Sequence, residues 1–236
     1  MIPKLSKSDL QKPRTQADLR AWAYDLHDQF GSTEEGKRAV RLNKGNLVKA
    51  FNEEVWPLAL FADAFYKDRT DVLFQPVVGY ESYDAFIIEA SGRRTLHYLQ
   101  ITQSFDGYQN YLRMLHLIEH GRAPVTGPKL QKNKAAGSVQ ETWPEAVPYD
   151  KALQESFERI ECAVERKALM RYEANTSLIL EFEDTHIHSE SDRAALDHFA
   201  RSTLVPRAAH FGALYLVSDR ERLAFHYEIR GLPPNQ

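Results

Sequence analysis

Three short runs of residues that favour β-strands follow one another between positions 71 and 102. They read DVLFQPVV, YDAFIIEA and TLHYLQIT, and they are rich in Val, Ile, Phe, Tyr and Thr. The segments between them, GYES and SGRR, have the composition of turns. The pattern predicts a three-stranded antiparallel meander, around which the rest of the chain has to fold.

Helical patterns and further strand patterns surround the meander. Apolar residues recur at helical spacing in 15–31, and again from Ser32 to beyond Pro57, which predicts a kink or a restart there. After the meander we expect a largely buried helix that ends at Gly121, and another that is capped by Asp150. The remaining patterns predict the strand TSLILEFED, the helix ESDRAALDHFARSTLV, and the strands GALYLVSD and RLAFHYEIR.

This order predicts an α/β fold with a central mixed sheet that starts with the meander and has helices on both faces. We interpret residues 1–31 as an N-terminal arm and helix, with 1–14 loose, and residues 32–236 as one α/β domain. Residues 122–148 are rich in Pro, Gly and Lys and lack periodicity, so they are interpreted as a long loop insertion.

Charge and cysteine content exclude several classes of protein. The net charge is −3, so no global basic field indicates nucleic acid, and the single cysteine, Cys162, rules out an internal disulfide. The N-terminus lacks the apolar run of a signal peptide, and the longest apolar stretch is interrupted by Pro57 and Asp63. We expect a soluble, cytoplasmic protein that does not associate with membranes.

Polar residues occupy defined positions on the meander. Side chains of a strand alternate between faces, so Gln100 and Thr102 share one face of the third run. Asp84 shares a face of the second run with Phe86 and Ile88, where a carboxylate is costly unless it is paired or metal-bound.

A second carboxylate comes from the helix before the meander. In a regular helix Phe51 and Val55 lie on the apolar face, Glu54 lies at its edge, and Glu53 points away. Glu54, Asp84 and Gln100 then supply an all-oxygen set of ligands, which magnesium and manganese prefer.

This arrangement resembles the PD-(D/E)XK nuclease superfamily. In that family a helix carrying a Glu precedes a meander, an Asp begins the second strand, and an acidic residue and a Lys lie two apart on the third. The matching catalytic positions here are Glu54, Asp84, Gln100 and Thr102. The resemblance covers roughly 46–102 by motif and 46–183 by element order. It implies a restriction-endonuclease-like fold and hydrolysis of DNA phosphodiesters with magnesium or manganese, and it allows a homodimer.

Two of the four positions depart from the family motif. Gln100 keeps an oxygen but loses the charge of the acidic ligand, and Thr102 lacks the positive charge of the lysine. Some members of the superfamily keep the fold but have lost catalytic activity, whereas others use a basic residue from another part of the chain. The basic candidates close in sequence are Lys67, Arg93, Arg94 and Arg113. An ordinary structural role for all four positions, as turn cap, ion pair and solvated strand residues, is the alternative.

Basic residues cluster in two segments that flank the candidate site. GKRAVRLNKGNLVK contains no acid, and the loop 122–148 holds several lysines. Either segment can follow a phosphate backbone, although each can equally be a solvated surface. The predicted nucleic-acid-binding residues are Lys37, Arg38, Arg41, Lys44, Lys129, Lys132 and Lys134.

Three other features have mainly structural interpretations. Asp184, His186 and His188 alternate in an extended segment and are candidate zinc ligands, but a polar loop with a helix cap at Ser191 is favoured. Cys162 is interpreted as a buried structural thiol. His116 and His120, four apart on a helix, are interpreted as core or helix-end residues.

Three functional hypotheses remain open from the sequence. The first is a metal-dependent nuclease, and the second is a non-catalytic module on the same fold that binds nucleic acid or a protein. The third is a protein whose sole role is to interact with other proteins.

Overall fold

Eight strands and nine α-helices are present in the computed structural model, which describes residues 3–79, 81–91, 94–123, 129–133, 138–142 and 148–229. The strands are Val72–Pro76 (β1), Ala85–Glu89 (β2), Thr95–Gln103 (β3), Lys129–Lys132 (β4), Val139–Thr142 (β5), Thr176–Phe182 (β6), Ala213–Ser218 (β7) and Ala224–Glu228 (β8). The α-helices are Lys7–Leu10 (α1), Gln16–Gly31 (α2), Glu34–Arg41 (α3), Asn46–Ala50 (α4), Trp56–Phe65 (α5), Gly107–His120 (α6), Tyr149–Ala168 (α7), Glu190–Phe199 (α8) and Val205–Arg207 (α9).

Six of the strands form one mixed sheet in the order β1-β2-β3-β6-β7-β8. The first three pair antiparallel, as the meander prediction requires, and β8 pairs antiparallel with β7. β3, β6 and β7 run parallel, so their carboxyl ends lie at the same edge of the sheet. The predicted α/β class and mixed sheet are confirmed.

Both faces of the sheet are covered by helices. β6 is buried along its whole length, as expected of a parallel strand in the middle of a sheet. Its Ile179 packs in one core with residues of α2 and α5, whereas Leu178 and Leu180 pack in a second core with residues of α7 and α8. No helix in the described part of the chain is both long enough and apolar enough to cross a bilayer.

The N-terminal arm is docked, and the prediction of a loose segment over 1–14 is wrong for its described residues. Leu10 is fully buried, and the backbones of Arg14 and Phe74 exchange hydrogen bonds of 3.0 and 2.8 Å along the edge of β1. The Arg14 guanidinium lies over the Trp22 ring, 3.7 Å from its centroid. These contacts give the open edge of the sheet a partner and offset the loss of chain entropy.

Pro57 is accommodated by a π-helical turn. The chain passes from α4 through Phe51–Val55, a π turn, into α5, and Pro57 follows two residues after that turn. A second π turn, Ala200–Leu204, has the same relation to Pro206. A proline ring clashes with the carbonyl four residues earlier, and a wider turn relieves this clash without ending the helix.

Three local expectations differ from the structure. Residues 122–148 contain a hairpin, β4–β5, where an irregular loop was expected. α6 ends at Gly121 in the left-handed region, as predicted, but it is not largely buried, since Tyr108 and Tyr111 are exposed. Cys162 is exposed rather than buried, because it lies beside the apolar stripe of α7 and not on it.

Two helix caps also differ from the prediction. The N-cap of α7 is Pro148, and Asp150 lies within its first turn. The N-cap of α8 is Ser189 rather than Ser191, and it forms a capping box with Asp192.

Candidate functional site

A cavity of about 650 Å³ opens at the edge of the sheet where β3 ends. Its lining includes Glu54, Asp84 and Thr102, three of the four residues predicted from the sequence. Gln100, the fourth, is buried and contacts Asp84 from β3. The strand alternation of the meander and the helix before it therefore bring all four predicted residues to one place.

Asp84 is held tightly at the start of β2. Its backbone N–H donates to the Leu99 carbonyl at 2.9 Å, and its Oδ2 accepts a hydrogen bond of 2.7 Å from the Ile101 N–H. Gln100 Nε2 donates to the same oxygen. Burial raises the pKa of Asp84, and the hydrogen bonds and the nearby Lys167 charge oppose this rise only in part.

The Gln100 amide supports Asp84 in the structure. Its Nε2 donates both to Asp84 and to the Ile101 carbonyl at 3.3 Å. Both of these partners are acceptors, so the nitrogen and not the oxygen of the amide faces them. Direct ligation of a metal by Gln100 would require this amide to turn over.

Glu54 lies in the π turn and points into the cavity. Its Oε2 is buried and has no hydrogen-bond partner. Burial, followed by the charges of Asp84 and Glu53, raises the pKa of Glu54 to about 7. The neighbouring Glu53 differs, because Asn43 donates to it at 3.1 Å and Lys49 lies 3.7 Å away. A buried carboxylate oxygen without a donor is uncommon in proteins and requires a specific explanation, such as a catalytic role or a bound ion.

Lys167 brings a basic group to the cavity beside the two carboxylates. This residue of α7 lines the cavity, and burial lowers its pKa, although the charges of Asp84 and Glu54 favour the ammonium form. Its neighbour Arg166 donates from Nη2 to Thr102 Oγ1 at 3.2 Å. Two basic groups of the cavity thus come from α7, which packs over the sheet.

The basic candidates chosen by closeness in sequence lie elsewhere. Lys67, Arg94 and Arg113 do not line this cavity, and Arg113 pairs with Glu183 at 3.4 Å. Arg93 lies outside the described residues.

A sequence signal for Lys167 was present. On α7, Leu153, Phe157, Ile160 and Val164 form an apolar stripe with intervals of four, three and four. The next interval of three reaches Lys167, so a cation continues a stripe that otherwise packs into the core. A charged residue at such a position indicates a specific partner.

The predicted nucleic-acid-binding residues have different surroundings. Arg41 lines the cavity, Lys37 pairs with Glu34 at 2.6 Å, and Arg38 and Lys44 are exposed. In the hairpin Lys132 is exposed, whereas the side chain of Lys129 and all of Lys134 lie outside what the structure describes.

The histidine pairs have structural contacts. His116 Nδ1 lies 2.9 Å from the Arg122 carbonyl and its Nε2 lies 3.3 Å from Glu141, so this histidine connects α6 to the hairpin. The His186 carbonyl accepts a hydrogen bond of 2.8 Å from the Tyr149 hydroxyl.

A second group of carboxylates lies at the carboxyl ends of β6 and β7. Asp184 is 2% exposed, and both of its carboxylate oxygens are without a hydrogen-bond partner, with Arg220 Nε 3.7 Å away. Its N–H donates to Asp219 at 3.3 Å, and burial raises the pKa of Asp219 to about 6. These groups lie outside the lining of the main cavity.

The donor set of the main cavity fits a hard divalent cation. Magnesium usually keeps several waters and binds proteins through one or two carboxylates together with substrate phosphate. Glu54 and Asp84 are two such carboxylates, and the buried Glu54 Oε2 has no other partner. In the described ranges, no group of three or more His, Cys, Asp or Glu residues is arranged to hold a metal ion.

Comparison with known proteins gave no relative that could add to this geometry. The chain matches no family model, no curated protein and no solved structure.

Proposed function

We propose that the chain is a divalent-metal-dependent nuclease with a restriction-endonuclease-like fold. In this proposal Glu54 and Asp84 hold magnesium or manganese, and Lys167 takes the role of the motif lysine. The single observation that carries the proposal is the buried, unpartnered Glu54 Oε2 beside a second carboxylate and a half-buried lysine. Groups with strongly shifted pKa values that share a cavity are typical of functional sites.

Each side chain has a role that follows from its contacts. Ile101 N–H and Gln100 hold Asp84 in position, which limits the cost of reorganising the site. A bound cation would act as a Lewis acid on the phosphate and lower the pKa of an attacking water. Lys167 would stabilise the charge that develops on the phosphate, and Arg166 would contact a non-bridging oxygen.

A non-catalytic nucleic-acid-binding module on the same fold is the second candidate. It is favoured by Gln100, which is neutral and bonded to Asp84 through nitrogen, so the charge of the third ligand is absent. This candidate predicts binding that needs no metal and does not depend on Asp84, and that weakens with salt.

Cleavage of supercoiled plasmid tests the proposal. We expect the purified chain to nick DNA with magnesium or manganese, and Asp84→Asn to lower the rate by about 100-fold or more, since it removes a ligand charge while keeping the shape. Asp28→Asn, at an exposed position of α2, is the matched control and should cut as the wild type does. A chain that cuts neither DNA nor RNA with any divalent metal would reject the nuclease and leave the binding module.

Metal affinity should depend on pH in a defined direction. Because the pKa of Glu54 is raised to about 7, this group holds a proton below that pH and has to lose it before it binds a metal. Manganese affinity, measured by calorimetry, should therefore rise by up to about tenfold per pH unit from acid to about pH 7 and then level off.

Glu54→Gln removes the titrating group from the site. This variant should bind manganese more weakly, and its affinity should change less with pH. Glu53→Gln should show the same rise of manganese affinity with pH as the wild type. An identical profile in wild type and Glu54→Gln would show that Glu54 is not the group that limits binding.

A further inference from the structure

An exposed aromatic ring stands at the cavity. Tyr111 of α6 lines it and is 40% exposed. In the described ranges, Tyr111 neither packs against another ring nor hydrogen-bonds through its hydroxyl. Exposed tyrosine rings beside a polar cavity are suited to stacking on a planar ligand.

Two guanidinium groups from different helices share this cavity. Arg41 ends α3 and Arg166 lies on α7. Neither has a carboxylate within salt-bridge distance in the part of the chain that the structure describes, so their charges are available to an anion. Arginine binds phosphate oxygens in pairs and with defined geometry.

A second cavity, here called the groove, lies beside the first between α3 and α6. The groove has a volume of about 610 Å³ and shares Arg41 with the first cavity, and its walls include Arg38 from α3 and Leu117 and Ile118 from α6. Arg38 and Arg41 are three residues apart on one helix, so they lie on the same face. Lys37 also lines the groove but is paired with Glu34, so Arg38 is the cation with fewer local partners.

We propose that this site takes a single strand of nucleic acid, with an unpaired base stacked on Tyr111 and the adjacent phosphates bound by Arg41 and Arg38. This inference rests on the proposed function and names its substrate class. Bases in a duplex already stack on one another and offer no free face to Tyr111. Moreover, Glu54 and Asp84 are partly buried in a cavity of small-ligand size, which a flexible strand can enter more readily than a duplex.

Binding without cleavage tests the proposal. Fluorescence anisotropy in EDTA would compare a labelled single-stranded DNA with a hairpin duplex that contains the same sequence. We expect the single strand to bind at least about tenfold more tightly, and Tyr111→Ala to reduce that affinity by about tenfold. Tyr111→Phe should bind normally, because the ring is kept. Tyr108→Ala is the matched control, since Tyr108 is on the same helix and 60% exposed but does not line the cavity.

The salt dependence of DNA affinity tests whether Arg38 of the groove contacts a phosphate. Arg38→Ala should lower the slope of log affinity against log salt by about 1, as expected for one lost phosphate contact. Arg222→Ala, in the exposed turn between β7 and β8, should leave the slope unchanged. A parallel single-stranded RNA would show whether the strand is DNA or RNA.

The outcomes separate this inference from the proposed nuclease. Equal affinity for single-stranded and duplex DNA would overturn the inference even if the protein cuts DNA. An equal loss of single-strand affinity in Tyr111→Ala and Tyr108→Ala would overturn it as well. Strand preference that depends on Tyr111 would support it even if no metal produces cleavage, in which case only the nuclease would be rejected.

Discussion

In the proposed nuclease, replacing Lys167 by Met will lower the rate of phosphodiester cleavage by about 100- to 1,000-fold, the usual cost of removing one group that stabilises transition-state charge. Met keeps the length and apolar stem of the side chain but removes the ammonium that lies beside Asp84 and Glu54. Lys167→Arg should retain more activity, because it keeps a positive charge at the cavity.

Stability measurements separate a catalytic effect from misfolding. Burial lowers the pKa of Lys167, so removal of its charge should not weaken the fold, and the thermal midpoint should change little. Lys151→Met, at an exposed position of the same helix, is the control and should cut normally. Cleavage by Lys167→Met at the wild-type rate would remove Lys167 from the proposed site.

Replacing Glu181 by Gln will stabilise the protein near neutral pH and leave it almost unchanged in acid. Glu181 lies on β6, is 2% exposed, and accepts a hydrogen bond of 2.5 Å from Gln103 Nε2. Burial raises its pKa from 4.5 to about 8. In the unfolded chain the group ionises near 4.5, whereas in the folded chain it stays protonated until about pH 8. Stability therefore falls as pH rises through this window.

The size of this effect follows from the shift. At pH 7 the Glu181 carboxyl of the unfolded chain is roughly 2.5 pH units above its pKa. Its ionisation therefore favours the unfolded state by about 3 kcal/mol. Gln has the same shape and no charge, so Glu181→Gln should gain up to this amount near neutrality.

Urea unfolding in acid and near neutral pH measures the difference directly. Glu155→Gln, at an exposed position of α7, should show no such pH dependence. A loss of stability in Glu181→Gln that is larger near neutral pH than in acid would show instead that the carboxyl is ionised and paired in the folded state.

The strands of the sheet could be predicted from the sequence because each is a local run of apolar and β-favouring residues. Each predicted run corresponds to an observed strand, and β6 is recognisable as an uninterrupted apolar run. The docked arm could not be predicted, because Leu10 and Arg14 find their partners only in tertiary structure. The π turn before Pro57 escaped prediction for a similar reason, since a kink, a restart and a wider turn all accommodate a proline.

The grouping of Glu54, Asp84, Gln100 and Thr102 was predictable from the sequence, whereas the position of Lys167 in the same cavity was not. Strand alternation identified the face of Gln100 and Thr102, and helix periodicity identified the side of Glu54, but neither can say which end of an amide meets a carboxylate. Lys167 was missed because the motif directs attention to the third strand. Its signal was on α7, more than sixty residues downstream of Thr102 in the sequence, as a lysine on an apolar stripe.

Anomalous diffraction from a manganese-soaked crystal tests the central claim most directly. The proposed site predicts one peak in contact with carboxylate oxygens of both Glu54 and Asp84, and loss of that peak in Asp84→Asn. Manganese found only beside Asp184 and Asp219, or no peak at Glu54 and Asp84 in crystals whose main cavity is open to solvent, would contradict it.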